Sequence, residues 1–526
     1  MSPPPPSVDL PTSPVQAFHP SFAARRASRP TGARPEPDSL RPTPSPSPPP
    51  APAPALYRVK ELDTPGPSIP PSRADSFVDL ELSVIGPTPG GSTDDVNSTA
   101  AALEREVAAL PPVDGGRDAW LFLLSATLVE TTVWGLPYTV GVLHAFWSSR
   151  MFPHDEATLT LAATLQTGLM YMSAAFLGPL FTAFPQHVKT MQFVGLFVAG
   201  IALIGSAFVT KAWHLVITFG ILYPFAGATY LPCATLIYEW FQARRGMATG
   251  IMFAGTGAGG TVFPFIVQAL LSRFGYKATM VAIGLGFLLI NTTALAFVRR
   301  RVPVGKGAGA HRRQRPISQI DWGFLKMGGM WAGTMVILFT AMGNFIPSLW
   351  IPTFADAIGA TRPNGTALVA IMNAASVPGN TLTGYISDRV PPRLAIFGSC
   401  ALAATATLVL WGLGTTNGLL VGFSIVWGFT ALSFVGQWSR MITVISKGDP
   451  TLPGLLFSFF TMLKGVGNLT SGPLSSILLN SGEHFRGSIA KGAAGAYGNT
   501  NYGILLIYTA SCTFAAALAG ILFPTN

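Results

Sequence analysis

Two ionisable side chains, Glu130 and Lys464, fall near the middle of long apolar runs. A charge at the centre of a bilayer costs at least ~2.5 to 3.5 kcal/mol on insertion scales, so each needs a reason to be there. A buried carboxylate can take up and release a proton, and a buried ammonium can draw in an anion. Each can equally be half of a structural ion pair, or, for Lys464, a group snorkelling to the membrane surface. Trp134 and Tyr138 follow Glu130 at one and two steps of four, along roughly the same stripe of a helix. In the Lys464 run, Thr461, Asn468, Ser471 and Ser475 join Lys464 within an arc of ~80° at 100° per residue. In another run Asn373, Ser376, Asn380 and Thr383 do the same. Lipid does not solvate such stripes, so they are predicted to line a central cavity or to bond between helices. Asn380 is the leading neutral candidate for recognising a solute. Tyr223, Tyr230, Trp350 and Trp438 are weaker candidates, since most membrane Trp and Tyr sit at interfaces or in packing. Arg440 reads as an interface anchor.

The residue pattern holds no catalytic constellation, P-loop, HExxH or other cofactor motif. Cys233, Cys400 and Cys512 lie in separate apolar runs, which suits neither a disulfide framework nor a metal site, and they are predicted to be small packing residues. With 49% hydrophobic and only 11% charged residues in 526, and a mean hydropathy of +0.44, most of the chain must face lipid. The formal net charge of +10 sits in short loops and in the tail, without the interleaved aromatics of a nucleic-acid surface. Nucleic acid is therefore not an expected partner.

From Ala119 onward, apolar runs of roughly 20 to 27 residues alternate with short polar breaks, each long enough to cross ~30 Å of hydrocarbon as a helix. Twelve are counted, beginning near 119, 157, 190, 213, 246, 278, 324, 366, 394, 418, 455 and 503. Residues 1–112 are rich in Pro, Ser and Ala and are predicted to be a disordered cytoplasmic tail with no cleaved signal, carrying Ser13, Ser45 and Ser47 before Pro and a short helix from Ser98. The basic segment 299–323 then separates two six-helix bundles, 113–298 and 324–526. Lys and Arg favour the loops on the tail's side, which places both termini in the cytoplasm. Asn364-Gly365-Thr366 is a glycosylation sequon on an outside loop, placed very close to the membrane.

The turn at Arg244 and Arg245 joins two apolar helices. Trp240 and Phe241 before it suit a membrane interface, and Gly250, Ala254, Gly257, Gly260 and Pro264 after it form one small-residue face for close helix packing. These features carry a family resemblance. Asp114-Gly115-Gly116 before Trp120, with Gly135-Leu136-Pro137 and Gly141 beyond, resembles the first signature of the monocarboxylate porter family. The aromatic-Phe, Arg244-Arg245 and Gly-rich stretch resembles its second. Gly384-Tyr385-Ile386-Ser387-Asp388-Arg389 with Arg393 resembles the loop motif of facilitator transporters in general, whose counterpart after Gly178 lacks the Asp and basic residues. Over residues 114 to 523 the resemblance implies the major facilitator fold, an all-α membrane protein of twelve helices, and transport of small organic anions, often with a proton. The tail suggests a fungal member, and fungal relatives of this kind carry other organic substrates, riboflavin among them. The family's lactate-type members carry a Lys, an Asp and an Arg where this chain has Tyr138, Ser376 and Asn380. That departure argues against simple lactate or pyruvate symport.

The resulting expectation is a secondary active transporter of a small organic acid or related metabolite, working by alternating access and coupled to a proton. The alternatives are an uncoupled exporter or a non-transporting sensor that signals through the tail. The plasma membrane is the expected site, with a vacuolar or other internal membrane as the alternative. The partners are the substrate, a proton and the bilayer, with the oligomeric state left open.

Overall fold

The computed structural model describes residues 110–302, 322–360, 362–449, 452–485, 495–497 and 502–524. The chain divides into Met1–Asp75 and Ser76–Asn526, and every described residue belongs to the second unit. Most of the tail, its Ser-Pro sites, the short helix from Ser98 and most of the basic segment lie outside the described residues.

The described chain is almost entirely helical: α1 (Gly116–Met151), α2 (Glu156–Ala183), α3 (Val188–Phe208), α4 (Ala212–Trp240), α5 (245–274), α6 (276–297), α7 (Gly328–Ala357), α8 (Gly365–Ser387), α9 (Pro392–Trp411), α10 (Asn417–Ser446), α11 (Leu452–Phe485) and α12 (Tyr502–Ile521). Each begins within a few residues of its predicted start. Among the described residues nine helices are long and apolar enough to cross a membrane, with α5 and α6 counted as the single span Arg245–Phe297. That span breaks at Gly275, whose φ of 74° is open to a residue without a Cβ. The remaining two, α2 and α8, are less apolar because they bury polar side chains inside the bundle, Gln166 on α2 and Asn373, Ser376, Asn380 and Thr383 on α8.

Small residues let α5 sit at the centre of the packing. Toward α1, a Cβ on Gly255 would lie 2.7 Å from the carbonyl oxygen of Thr127, and one on Gly259 would lie 2.5 Å from that of Thr131. Toward α8, a Cβ on Gly250 would lie 2.8 Å from the carbonyl carbon of Asn380 and 3.0 Å from Thr381 Cα, and one on Gly257 would lie 2.7 Å from the Asn373 carbonyl oxygen. The single small-residue face expected on α5 is thus two faces, because α5 must touch one helix from each bundle. On the other side of the molecule α2 meets α11 in the same manner, with Gly465 packed on Tyr171.

The predicted interface role of Trp240 and Phe241 is overturned. Both are buried, Trp240 stacked on Phe122 at 5.9 Å and Phe241 edge-on to Trp120 at 6.0 Å. The reason is a tie between Asp114, just before α1, and the Arg244-Arg245 turn. Asp114 accepts hydrogen bonds from the backbone N–H groups of Gln242 (2.8 Å), Ala243 (2.9 Å) and Arg244 (3.0 Å), and its own N–H donates to the Trp240 carbonyl at 3.0 Å. This pulls the turn inward over the start of α1. The approach needs Asp114 at φ 59° and Gly116 at φ 82°, left-handed backbone that Asp tolerates and Gly favours. Arg245 is drawn in as well, donating to the carbonyls of Phe241 and Tyr238 and to the Thr443 hydroxyl of α10, whereas Arg244 stays exposed.

Candidate substrate cavity

Three helices lose regular geometry halfway along their length. α1 tightens at Leu136–Thr139, α4 at Tyr223–Ala226 and α10 at Leu432–Gln437. At membrane depth such backbone is tolerated only where protein or a cavity satisfies it. In α1 the cause is Pro137, whose missing N–H leaves the Val133 carbonyl without its helical donor. The Tyr223 hydroxyl supplies one instead, at 2.6 Å. Tyr223 is therefore a structural partner of α1 rather than a cavity residue.

Between α1–α5 and α7–α11 lies a cavity with about 50 Å³ of space for water centres, enough for several ordered waters. Seven of the eight residues predicted to serve substrate or coupling meet there: Glu130, Trp134 and Tyr138 from α1, Asn373, Ser376 and Asn380 from α8, and Lys464 from α11. Asn468 does not line it, and of its stripe only Thr461 accompanies Lys464. Ser475 instead accepts the indole N–H of Trp350 at 2.7 Å. The stripe leaves the cavity because α11 runs on past it toward α7. Thr383 is likewise used up between helices, donating to the Ser433 carbonyl at 3.0 Å.

One oxygen of Glu130 accepts from the Thr256 hydroxyl at 2.7 Å, while its other oxygen, Oε2, is buried with no hydrogen-bond partner. Lys464 and Glu130 line the same cavity, yet they form no ion pair within 4 Å. Among the described residues the recorded pair is Arg299 with Asp118. The ammonium of Lys464 instead lies 5.8 Å from the ring centre of Tyr171 on α2 and 5.9 Å from that of Trp438 on α10. Both charged side chains line the cavity. Asn380 donates to the Ser376 carbonyl at 3.0 Å and keeps Oδ1 unpaired. The indole nitrogens of Trp134 and Trp438 and Asn344 Oδ1 are also buried and unpaired.

Tyr171, Tyr230, Trp438, Asn344 and Thr256 were not singled out as cavity residues by sequence reasoning, or were rated as packing. Asn344 carried a usable signal, a buried amide inside an apolar run like Asn380. Aromatics such as Tyr171 carried none, because a ring turned to lipid and a ring turned to a cavity occupy identical patterns.

At the end bearing the basic loops the two bundles are latched. Asp388 accepts from the backbone N–H groups of Gly246 (2.7 Å) and Met247 (2.9 Å) in the first turn of α5, where the helix dipole favours a carboxylate. Burial raises the carboxyl of Asp388 above its ordinary value, opposed by those amides and by Arg440 and Arg389. Arg440, with its Nε buried and unpaired, sits within this charged group rather than as a free interface anchor. Arg389 stacks on Tyr385 at 3.6 Å. Away from that end, Tyr138 of α1 is among the residues that line the cavity.

The chain is similar to several fungal transporters. It is 27% identical to the MFS transporter asaE of Aspergillus flavus over 378 residues, 70% of this chain and 82% of that protein. It is 26% identical to an MFS-type transporter of Gibberella moniliformis over 405 residues, 75% and 92% of the two chains. It is 25% identical to the probable transporter MCH2 of Saccharomyces cerevisiae over 416 residues, 76% and 83%. Among solved structures, the human organic anion transporter MFSD10 superposes with a TM-score of 0.58 at 11% identity, covering 78% of this chain and 100% of that one. The proton:xylose symporter XylE gives 0.56 at 13%, covering 76% and 94%. The model of the Major Facilitator Superfamily matches residues 120–477, and this chain, with twelve helices among its described residues, belongs to that superfamily.

Proposed function

We propose that this chain is a secondary active transporter of the monocarboxylate porter type, moving a small organic acid or related metabolite by alternating access with proton coupling at Glu130. The observation that carries the proposal is the pair of opposite charges that line one cavity without an ion pair between them: Glu130 with a free oxygen and Lys464 near the rings of Tyr171 and Trp438. Opposite charges that do not neutralise one another are each available to a ligand. Lys464 attracts the substrate anion, and Glu130 exchanges a proton as the site opens to either side.

The moving bodies are residues 113–298 and 324–526, joined by 299–323. The glycine contact of α5 with α8 and the Asp388 latch close the basic-loop end in this conformation. The basic loops support a cytoplasmic placement of the latched end and of both termini, so this conformation corresponds to an outward-facing one. The plasma membrane is the proposed location. Transport is favoured over sensing by the relatives, which are named transporters.

The test is uptake of a panel of labelled organic acids into proteoliposomes, with and without an inward-directed pH gradient. Gradient-stimulated flux supports the proposal. Flux that ignores the gradient identifies an uncoupled carrier, and ligand binding without flux identifies a sensor.

A further inference from the structure

The walls of the cavity carry more chemical information than its charges. Eight of its 18 lining residues are aromatic, while Leu432 and Val435 are its only branched aliphatics. The rings are packed on one another across both bundles. Trp134 lies 4.5 Å from Tyr171 and 5.4 Å from Tyr230, Tyr171 lies 6.1 Å from Phe345, and Trp438 lies 5.7 Å from Phe457. These distances fall within the range of offset and edge-to-face pairs, so a ring entering the cavity would extend an existing array.

The polar atoms left unpaired around that array are of both kinds. The indole N–H groups of Trp134 and Trp438 are donors, and Glu130 Oε2 and Asn380 Oδ1 are acceptors. All four side chains are at most 5% exposed. Buried polar groups are as a rule hydrogen-bonded, so four converging exceptions call for a ligand or water that supplies the missing partners. Lys464, between Tyr171 and Trp438, places the positive charge at the edge of the same ring array.

We infer that the substrate is a planar aromatic or conjugated organic acid, its ring system inserted among Trp134, Tyr171 and Trp438, its acidic group at Lys464, and a polar substituent at Asn380. This rests on the transport proposal and narrows it. A small aliphatic acid would leave the π-faces and the indole donors unused. A flat ligand is also the kind that suits a narrow space, entering edgewise between rings with little displacement of the walls.

The full-length chain in lipid nanodiscs provides the test, using three ligands of similar outline: 2-naphthoate, its saturated decalin carboxylate, and 2-naphthamide. Binding is measured calorimetrically, with quenching of the Trp fluorescence as a second signal. The inference expects naphthoate to bind at least tenfold more tightly than decalin carboxylate, and Lys464→Gln to reduce naphthoate to the level of the amide. Trp438→Leu should weaken naphthoate by a larger factor than it weakens decalin carboxylate. Equal binding of naphthoate and its saturated analogue by the unmodified protein overturns the inference, as does lactate competing as well as naphthoate. Because that comparison uses unmodified protein, a variant that fails to fold does not blunt it. Proteoliposome flux separates the two proposals. Aromatic preference in binding without flux would defeat transport and keep the inference, whereas flux of aliphatic acids without aromatic preference would defeat the inference and keep transport.

Discussion

Gly250→Ala places a methyl group where α5 and α8 touch backbone to backbone. The new Cβ would lie 2.8 Å from the carbonyl carbon of Asn380, nearer still to its oxygen, and 3.0 Å from Thr381 Cα. Ordinary van der Waals contact begins at 3.4 Å, so the helices must part by at least 0.6 Å, the difference of 3.4 and 2.8, and no flexible side chain can yield in their place. Overpacking of this kind costs ~1 to 3 kcal/mol, which shifts a two-state equilibrium by ~5- to 150-fold. The contact exists only where the two bundles are closed at the basic-loop end, so the substitution should populate the conformation in which that end is open. Spin labels on Cys introduced at the exposed positions Gln242 and Leu394 would report the separation by pulsed electron–electron distance measurement, the native cysteines being buried. Gly259→Ala is the matched control, since its Cβ would strike Thr131 of α1 within the same bundle and should lower the thermal midpoint without changing the distance distribution. Gly286→Ala meets nothing within 4 Å and should change neither. An unchanged distance distribution in Gly250→Ala, or the same lengthening in Gly259→Ala, would refute the assignment of α5–α8 as the closing contact.

Three further outcomes follow from particular contacts. Glu130→Gln should abolish the stimulation of uptake by a pH gradient while substrate counterflow continues, and persistence of the stimulation would remove Glu130 from coupling. Asp114→Ala releases three backbone N–H groups of the turn and should cost about 2 kcal/mol, the upper range for a lost helix cap, read as a lower thermal midpoint in detergent. Asp114→Asn, which keeps an acceptor oxygen, should recover part of that loss. Tyr223→Phe leaves the Val133 carbonyl buried without a donor and should cost ~1 to 3 kcal/mol of stability with no change in the order of preferred substrates; altered preference would place Tyr223 in the binding site after all.

Sequence and structure agree where a single helix decides the matter. The helix starts depend on local hydropathy, and the cavity-facing side of α8 depends on spacing alone, so Asn373, Ser376 and Asn380 were legible together. The same logic failed for Asn468, because a stripe says that a face is buried but not what covers it, and beyond Thr461 and Lys464 α11 turns that face to other helices. Trp240 and Phe241 misled for a related reason. An aromatic pair beside a basic turn is a membrane-interface pattern, yet Asp114, 126 positions before Trp240 in the sequence, draws the turn over α1 and buries both rings.

What the sequence determined by itself is whatever bilayer energetics impose on each segment separately: where the apolar runs begin, the helical form of each, and the rarity that marks Glu130 and Lys464. Tertiary structure alone decided which groups meet. It paired Glu130 with Thr256, set Lys464 between rings from both bundles, and tied Asp114 to the turn at Arg244. These are contacts between helices distant in sequence. Their geometry follows from how closely glycine-lined backbones approach, a quantity that no local pattern carries.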